Sequence, residues 1–129
     1  MIVLDTHVLY WSQAQPAKIS KRAAKTIDEA ANSGGLAISA VTLLELAQMI
    51  ERGKITPRGT VEATIESLIE DVVIKPITTE IASLSIQFPP DFPRDPIDRV
   101  IAATARAEGL PLVTADAQIQ RCRLLQVVW

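Results

Sequence analysis

The sequence predicts an α/β fold in which a short, mainly parallel sheet is flanked by helices. Short apolar segments rich in β-branched residues alternate with longer segments in which apolar residues recur at helical spacing. This alternation is typical of parallel sheets, because each strand is followed by a helix that crosses back over the sheet. At 129 residues, the chain is long enough to bury about two thirds of its unfolded surface. We therefore expect one domain across residues 1–129.

Five strands and seven helices are expected from these patterns. The strands are short apolar runs at residues 2–5, 36–39, 72–77, 112–114 and 125–128. The helices carry apolar residues at intervals of three and four, and they span residues 7–13, 21–31, 41–52, 60–69, 80–86, 96–108 and 117–120. The one clear loop covers residues 88–94 and contains three prolines. No repeat or linker divides the chain, so the elements are expected to share one fold.

Capping residues support several of these helix boundaries. Ser20 is suited to cap the helix at 21–31, because its hydroxyl accepts a hydrogen bond from a free backbone amide. Asp95 followed by Pro96 is a typical start for the helix at 96–108. Gly109, with Pro111 shortly after it, is a typical stop for the same helix.

Composition narrows the class of protein. Of the residues 48% are apolar and the formal net charge is −2, so the chain lacks the basic surface that usually tracks phosphates. Lys18, Lys21, Arg22 and Lys25 do cluster, but a solvated helix face explains them at least as well as contact with phosphate. Cys122 is the only cysteine, which excludes a disulfide framework and a cysteine-based metal site. Since no signal peptide or membrane-spanning run is present, we expect a cytoplasmic protein.

Acidic residues recur where an apolar run ends or a helix begins. Asp5 closes the first strand, Glu45 follows the second, and Asp116 follows the fourth. The pair Asp95 and Asp98 opens the helix at 96–108. In an open α/β sheet, ligands bind in the crevice beyond the carboxyl ends of the strands. Acids brought there by separate elements are expected to hold a hard divalent cation through oxygen ligands.

Each acid taken alone also has a structural explanation. Asp5, Asp95 and Asp116 are suited to cap the helices that follow them, and Glu45 completes a capping-box pattern with Thr42. The joint pattern favours a site, because clustered like charges destabilise a fold unless a cation neutralises them. The chemistry then available is attack of metal-activated water on a phosphodiester bond.

Several neighbours of these acids are candidates for supporting roles. The hydroxyls of Thr6 and Thr114 are suited to orient a carboxylate or a metal-bound water. Arg99 is expected to pair with a neighbouring acid in preference to a phosphate. His7 is the only histidine, which excludes a histidine pair for acid–base catalysis, and we assign it no catalytic role. The aromatic residues at positions 10 and 11 are expected in the core or an interface rather than as surfaces for base stacking.

The motifs that carry these acids resemble those of the PIN domain. They are Leu4-Asp5-Thr6-His7-Val8-Leu9, Ile38-Ser39 through Glu45-Leu46, Arg94-Asp95-Pro96-Ile97-Asp98-Arg99 with the Ala-Ala-Thr-Ala that follows shortly after, and Leu112-Val113-Thr114-Ala115-Asp116. The likeness covers nearly the whole chain in the right order, and the Asp-Pro-x-Asp-Arg segment is its most specific part. More closely, the chain resembles the toxins of VapBC-type toxin–antitoxin pairs.

The resemblance implies a PIN-like three-layer fold and an endoribonuclease that depends on Mg²⁺ or Mn²⁺. It also implies a homodimer that is silenced by a cognate antitoxin protein. Carried over by motif, the catalytic acids are Asp5, Glu45, Asp98 and Asp116, and the metal ligands among them are Asp5, Asp98 and Asp116. Asp95 is then a cap or an auxiliary acid. The other auxiliary residues are Thr6, Thr114 and Arg99.

Other α/β classes with acids at strand ends fit less well. A response-regulator receiver domain requires an acid pair after the first strand, and a haloacid-dehalogenase-type phosphatase requires Asp-x-Asp there. Here Asp5 is followed by Thr6 and His7. A nucleotide-binding Rossmann or P-loop protein requires a glycine-rich first turn, which is missing. The alternative that stays open is a PIN-like module that binds RNA or a partner without cleaving RNA.

Overall fold

The sheet has five strands, and every neighbouring pair is parallel. The computed structural model describes residues 1–129. Its strands are β1 (Ile2–Leu4), β2 (Leu36–Ser39), β3 (Val72–Lys75), β4 (Leu112–Val113) and β5 (Val127–Val128). They lie in the order β3-β2-β1-β4-β5. The chain therefore runs from β1 to one side for β2 and β3, and β4 and β5 lie on the other side, which opens a crevice at the carboxyl ends of the central strands.

Seven helices cover the two faces of this sheet. They are α1 (Thr6–Ala14), α2 (Lys21–Ala31), α3 (Val41–Glu51), α4 (Val61–Leu68), α5 (Thr79–Ser85), α6 (Pro96–Glu108) and α7 (Ala117–Gln120). A short 3₁₀ helix at Pro16–Lys18, which the sequence patterns did not indicate, joins α1 to α2. Measured by length and apolar content, every helix falls short of what a membrane crossing requires. The predicted α/β architecture is confirmed.

The core is divided between the two faces of the sheet. Side chains alternate in direction along a strand, so Ile2 and Leu4 pack with α1, α2 and α3, whereas Val3 packs with α5 and α6. All three residues of β1 are buried. Burial of an aliphatic side chain of this size contributes about 1.5–3 kcal/mol, so the central strand anchors both layers. Asp5 follows this rigid strand directly.

Most element boundaries match the sequence prediction, and the exceptions have physical reasons. The strand predicted at 72–77 ends at Lys75, because its partner β2 ends at Ser39, which pairs with Lys75. The strands predicted at 2–5 and 112–114 stop one residue earlier than expected. The amides of Asp5 and Thr114 still donate to the carbonyls of Val113 and Val128 on the neighbouring strands, but the pairing ends there because the chain turns away directly afterwards, into α1 at Thr6 and into the loop before α7. The strand predicted at 125–128 is shorter because only Val127 and Val128 pair with β4.

Candidate active site

Asp5 lies at the carboxyl end of β1 and is held on both carboxylate oxygens. Its Oδ1 accepts a hydrogen bond of 2.7 Å from the amide of Thr6, as the N-cap of α1. Its Oδ2 accepts a hydrogen bond of 2.7 Å from the hydroxyl of Thr114, which follows the neighbouring strand β4. Asp5 is only 8% exposed. The predicted cap is therefore confirmed, and Thr114 orients this carboxylate as expected.

Glu45 reaches the same edge of the sheet from α3. The capping box predicted for Thr42 and Glu45 is wrong, because α3 begins after Ala40 and Thr42 lies inside the helix. Thr42 instead contacts the hydroxyl of Thr6 at 3.0 Å, which joins α3 to α1. The Oε1 atom of Glu45 is buried and has no hydrogen-bond partner. A buried carboxylate oxygen without a partner is costly in an ordinary fold, so capping does not explain Glu45.

Asp95 and Asp98 differ in what they do at the start of α6. Asp95 is the N-cap, and its Oδ1 accepts a hydrogen bond of 2.9 Å from the amide of Ile97. Pro96 occupies the first turn, as predicted. Asp98 makes no cap and is half-buried, and its side chain lines the same cavity as Asp95.

Asp116 reaches the same cavity from the loop after β4. It caps α7, and its Oδ1 accepts hydrogen bonds from the amides of Gln118 and Ile119 at 2.8 and 3.2 Å. The Thr114 hydroxyl accepts a hydrogen bond of 3.1 Å from the Asp116 amide. A single threonine thus links two acids of the site, because it donates to Asp5 and accepts from the backbone of Asp116.

All five predicted acids line one cavity of about 350 Å³, here called the acid pocket. Its lining residues are Asp5, His7, Trp11, Glu45, Asp95, Asp98, Ala115 and Asp116. Three of them, His7, Trp11 and Ala115, had no predicted role in a site. The one available signal was the position of His7, in the first turn of α1 directly after the Asp5-Thr6 pair.

Burial and mutual repulsion govern the charges in the acid pocket. Burial raises the pKa of Asp5, although hydrogen bonds to its carboxylate oppose the rise. Burial also raises the pKa of Glu45. The effect on Asp98 is large: burial, with the negative charges of Asp5, Asp95, Glu45 and Asp116 adding to it, raises its pKa to about 7. Both effects disfavour the charged form, so the acids destabilise the fold when nothing neutralises them.

The donor set fits a divalent cation. Asp5, His7 and Glu45 each offer a ligand atom, and these atoms lie within 4.8 Å of one another. The partnerless Oε1 of Glu45 is the kind of atom that a cation satisfies. Asp98 and Asp116 line the same cavity. Carboxylate oxygens are the ligands that hard cations such as Mg²⁺ and Mn²⁺ prefer.

Arg99 does not pair with an acid, and that prediction is wrong. Its Nε donates a hydrogen bond of 2.8 Å to the carbonyl oxygen of Pro93. The guanidinium carbon lies 5.8 Å from the centroid of the Phe92 ring, and Phe92 stacks on Phe88 at 4.2 Å. Arg99 therefore fastens the proline-rich loop to α6 and holds the chain that delivers Asp95.

The sequence as a whole is similar to proteins of a known family. The PIN domain family matches residues 2–124. Over 122 residues, the chain is 36% identical to Ribonuclease VapC22 of Mycobacterium tuberculosis, and the match covers 95% of this chain and 92% of that protein.

Solved structures share the fold over almost the full length. The structure of VapBC2 from Rickettsia felis bound to a DNA fragment from their promoter has a TM-score of 0.75 and 18% sequence identity, with 98% of this chain and 97% of that chain covered. DNA-bound VapBC from Salmonella typhimurium has a TM-score of 0.73 and 21% identity, with the same coverage. At such identities the likeness concerns the fold alone. The match to the family and the close relative agree with the motifs, and the chain belongs to the PIN domain family.

Proposed function

We propose that this protein is a divalent-metal-dependent endoribonuclease that acts as the toxin of a type II toxin–antitoxin pair. The acid pocket carries the proposal, because acids from both ends of the chain surround the buried carboxylate of Asp5. Membership of the PIN domain family and a relative named as a ribonuclease supply the substrate class. Carboxylates clustered in this way cost stability, so the arrangement is better explained by chemistry than by capping.

Each acid contributes differently to the proposed reaction. A divalent cation bound in the pocket supplies Lewis acidity for the attack of water on an RNA phosphodiester bond. The carboxylate of Asp5 is already oriented by two hydrogen bonds, so it would bind the cation without a change of side-chain conformation. Glu45 offers its partnerless Oε1. Asp98, whose pKa is raised to about 7, releases its proton when a cation binds.

We propose Mg²⁺ or Mn²⁺ as the cation, because the donors are mainly carboxylate oxygens. The ligands carried over by motif are Asp5, Asp98 and Asp116. His7 is an added candidate, since its ring nitrogen lies within reach of the Asp5 and Glu45 oxygens.

An RNA cleavage assay tests the catalytic part of the proposal. Purified protein is incubated with end-labelled RNA in Mg²⁺, in Mn²⁺ and in chelator, and the Asp5→Asn variant serves as the inactive control. Cleavage is expected only with metal and only with wild-type protein. DNA of the same sequence is the substrate control. Binding of RNA without cleavage under every condition would instead support the open alternative, a non-cleaving PIN-like module.

The partner is proposed to be a cognate antitoxin that carries basic residues. An arginine or lysine from such a partner neutralises the acid pocket in place of a cation. Expression of the chain alone is expected to arrest growth of its host, and Asp5→Asn is expected to relieve the arrest. Co-expression with the antitoxin should restore growth and yield a stable complex. A chain that is harmless in its host and captures no partner contradicts the toxin assignment.

A homodimer is the proposed assembly. Strand β3 lies at the end of the sheet, and its Val73 and Ile74 side chains are 46% and 39% exposed. An edge strand with exposed apolar side chains readily pairs or packs with another chain. Light scattering over a range of protein concentrations tests this, and a monomer at every concentration argues against it.

A further inference from the structure

The acid pocket has an aromatic side, and the proposed chemistry uses only His7 of it, as a candidate ligand. His7 and Trp11 are four residues apart on α1, so they project from the same face of the helix. Their ring centroids lie 5.9 Å apart, and Trp11 lies 6.2 Å from Trp129 near the other end of the chain. We call these three residues the aromatic wall. His7 and Trp11 line the acid pocket directly, beside the acids.

Packing in the core explains only part of this arrangement. Trp129 packs against the core cluster formed with α1, α2 and α3. Trp11 belongs to neither core cluster and is half-buried. Tyr10, its neighbour in sequence, does pack against the core. Trp11 therefore lies at the boundary between core and pocket: one side contacts Trp129, and the residue also lines the acid pocket. It belongs to neither core cluster, so of the predicted locations, core or interface, only the interface stays a prediction.

Charge alone is a poor source of affinity for RNA at this site. The chain has a formal net charge of −2, and five acids line the pocket, so phosphates are repelled there. Lys18 lies beside the wall, with its Nζ 5.5 Å from the centroid of the Trp11 ring. Lys18 is exposed, so its side chain moves at little cost. A contact to a base would add affinity that the side-chain charges of this pocket do not supply.

We propose that the aromatic wall stacks an unpaired nucleobase of the RNA beside the acids, with Trp11 as the main contact. This inference rests on the proposed ribonuclease function. Every base has a flat face, so stacking tolerates any sequence. A base inside a duplex is already stacked on its neighbours and cannot reach the wall. Trp11 is thus a specificity-determining residue that selects single-stranded RNA.

Tryptophan fluorescence tests the contact directly. The chain has only two tryptophans, and both are in the wall, so a Trp129→Phe variant reports on Trp11 alone. The variant is titrated in chelator, which prevents cleavage, with a short single-stranded oligoribonucleotide. The controls are the same strand annealed to its complement and an analogue with abasic positions. Quenching is expected only with the intact single strand, whereas equal quenching by the abasic analogue overturns the proposal.

Cleavage kinetics test the consequence. Trp11→Ala is expected to raise KM for single-stranded RNA on the order of tenfold, which is the size of one lost base–aromatic stack, and to change kcat little. Trp11→Phe keeps a ring and should recover most of the loss. Tyr10→Leu is the matched control, because it removes a ring from the same helix outside the acid pocket. An unchanged KM in Trp11→Ala overturns the proposal.

The outcomes separate this inference from the proposed function. If the wild type cleaves RNA and Trp11→Ala cleaves it with the same KM, the stacking role fails and the ribonuclease stands. If the wild type cleaves nothing but Trp11 is quenched by the single strand, the ribonuclease fails and the contact stands. Quenching by a basic partner protein together with no response to RNA assigns the wall to that partner and overturns the proposal.

Discussion

The sheet differs between the edge formed by the amino ends of its strands, here called the amino edge, and the edge formed by their carboxyl ends, here called the carboxyl edge. At the amino edge, backbone groups satisfy one another: the amide of Ile2 donates to the Gly35 carbonyl at 3.2 Å, and that of Val3 donates to the Pro111 carbonyl at 2.9 Å. At the carboxyl edge, polar side chains replace backbone partners. Five of the seven buried polar side chains lie there: Asp5, Thr6, Ser39, Thr42 and Thr114. Asp5 is the only buried charged residue of the chain.

This difference between the two edges indicates that residues at the amino edge stabilise the fold, whereas residues at the carboxyl edge lower its stability and form the candidate site. The amino edge uses glycine, proline and backbone hydrogen bonds, which serve only the fold. The carboxyl edge holds acids whose pKa values are raised by burial and by one another, so these acids lower the stability of the fold unless a cation neutralises them. Changes at the carboxyl edge should therefore alter activity without unfolding the protein, and changes at the amino edge should do the reverse.

The largest expected effect is on RNA cleavage, and it should differ between Asp98 and Asp95. Asp98→Asn should lower metal-dependent RNA cleavage by about 100-fold or more, since even residues that only orient a ligand contribute about 10–100-fold. Asp95→Asn should change cleavage much less, because asparagine is as good an N-cap as aspartate. Cleavage rates of both variants, with circular dichroism to confirm folding, provide the measurement. An equal loss at the two positions would show that Asp98 has no special role.

Metal should stabilise the protein through the carboxyl edge. A cation at 100 times its Kd stabilises the native state by about 2.7 kcal/mol, which raises the Tm of a domain of this size by about 10 °C. Asp98→Asn should raise the Tm in chelator, because one repelling charge is removed, and should reduce the response to Mn²⁺. The loss of a favourable charge at the start of α6, about 0.3–1 kcal/mol, opposes the gain. Thermal melts of both proteins in chelator and in Mn²⁺ measure these changes. A wild-type Tm that is the same with and without metal contradicts the prediction.

The metal-free protein should also lose stability as pH rises. Asp98 has a pKa of about 7 in the fold against 3.8 for the ordinary group. Between these values the folded state holds a proton that the unfolded state has released, so the free energy of unfolding falls as pH rises through this window. Above a pH of about 7 both states have released this proton, and the free energy of unfolding falls no further on account of Asp98. Urea unfolding in chelator at several pH values measures the slope, which Asp98→Asn should reduce. Saturating Mn²⁺ should reverse it, because metal binding requires the deprotonated acids.

The smallest expected effect lies at the amino edge. Gly35 has a φ of 96°, a conformation that a residue with a Cβ atom adopts at a cost of about 1–2 kcal/mol. Gly35→Ala should lower the free energy of unfolding by about this amount and leave cleavage per folded molecule unchanged. Ser33→Ala, at an exposed neighbouring position, is the control and should stay within about 0.5 kcal/mol of wild type. A loss of cleavage in folded Gly35→Ala would break the comparison between the edges.

The sequence predicted the ends of a helix correctly where those ends are determined by the capping residues themselves. Helix α6 spans Pro96–Glu108 as predicted, because Asp95 caps one end and Gly109 adopts a left-handed conformation, with φ of 64°, at the other. The convergence of the acids was also predictable, since parallel strands present their carboxyl ends at one edge. The failure of the predicted capping box could not be foreseen, because the hydroxyl of Thr42 contacts the hydroxyl of Thr6, which lies 36 residues away in sequence.

Apart from the position of His7 directly after Asp5 and Thr6, nothing in the sequence indicated the aromatic side of the pocket. Helix α1 has the sequence Thr-His-Val-Leu-Tyr-Trp-Ser-Gln-Ala, in which apolar side chains occur nearly all the way round. Its pattern therefore does not tell which side faces the sheet, and the direction of His7 and Trp11 is decided by packing against other elements. The same limit applies to Arg99, whose partners belong to the irregular loop at 88–94.

The hydrogen bond between Thr114 and Asp5 joins residues that are 109 positions apart, and this separation has a meaning for biosynthesis. A ribosome adds about 5–20 residues per second, so Asp5 emerges well before β4 exists. Until Leu112 and Val113 dock beside β1, the first acid lacks its neighbouring strand and the last acid has not yet been made. A nascent chain that has not reached Thr114 therefore lacks both the hydroxyl that holds Asp5 and the acid at position 116. The acid pocket can thus form only after the last of its elements has been synthesised.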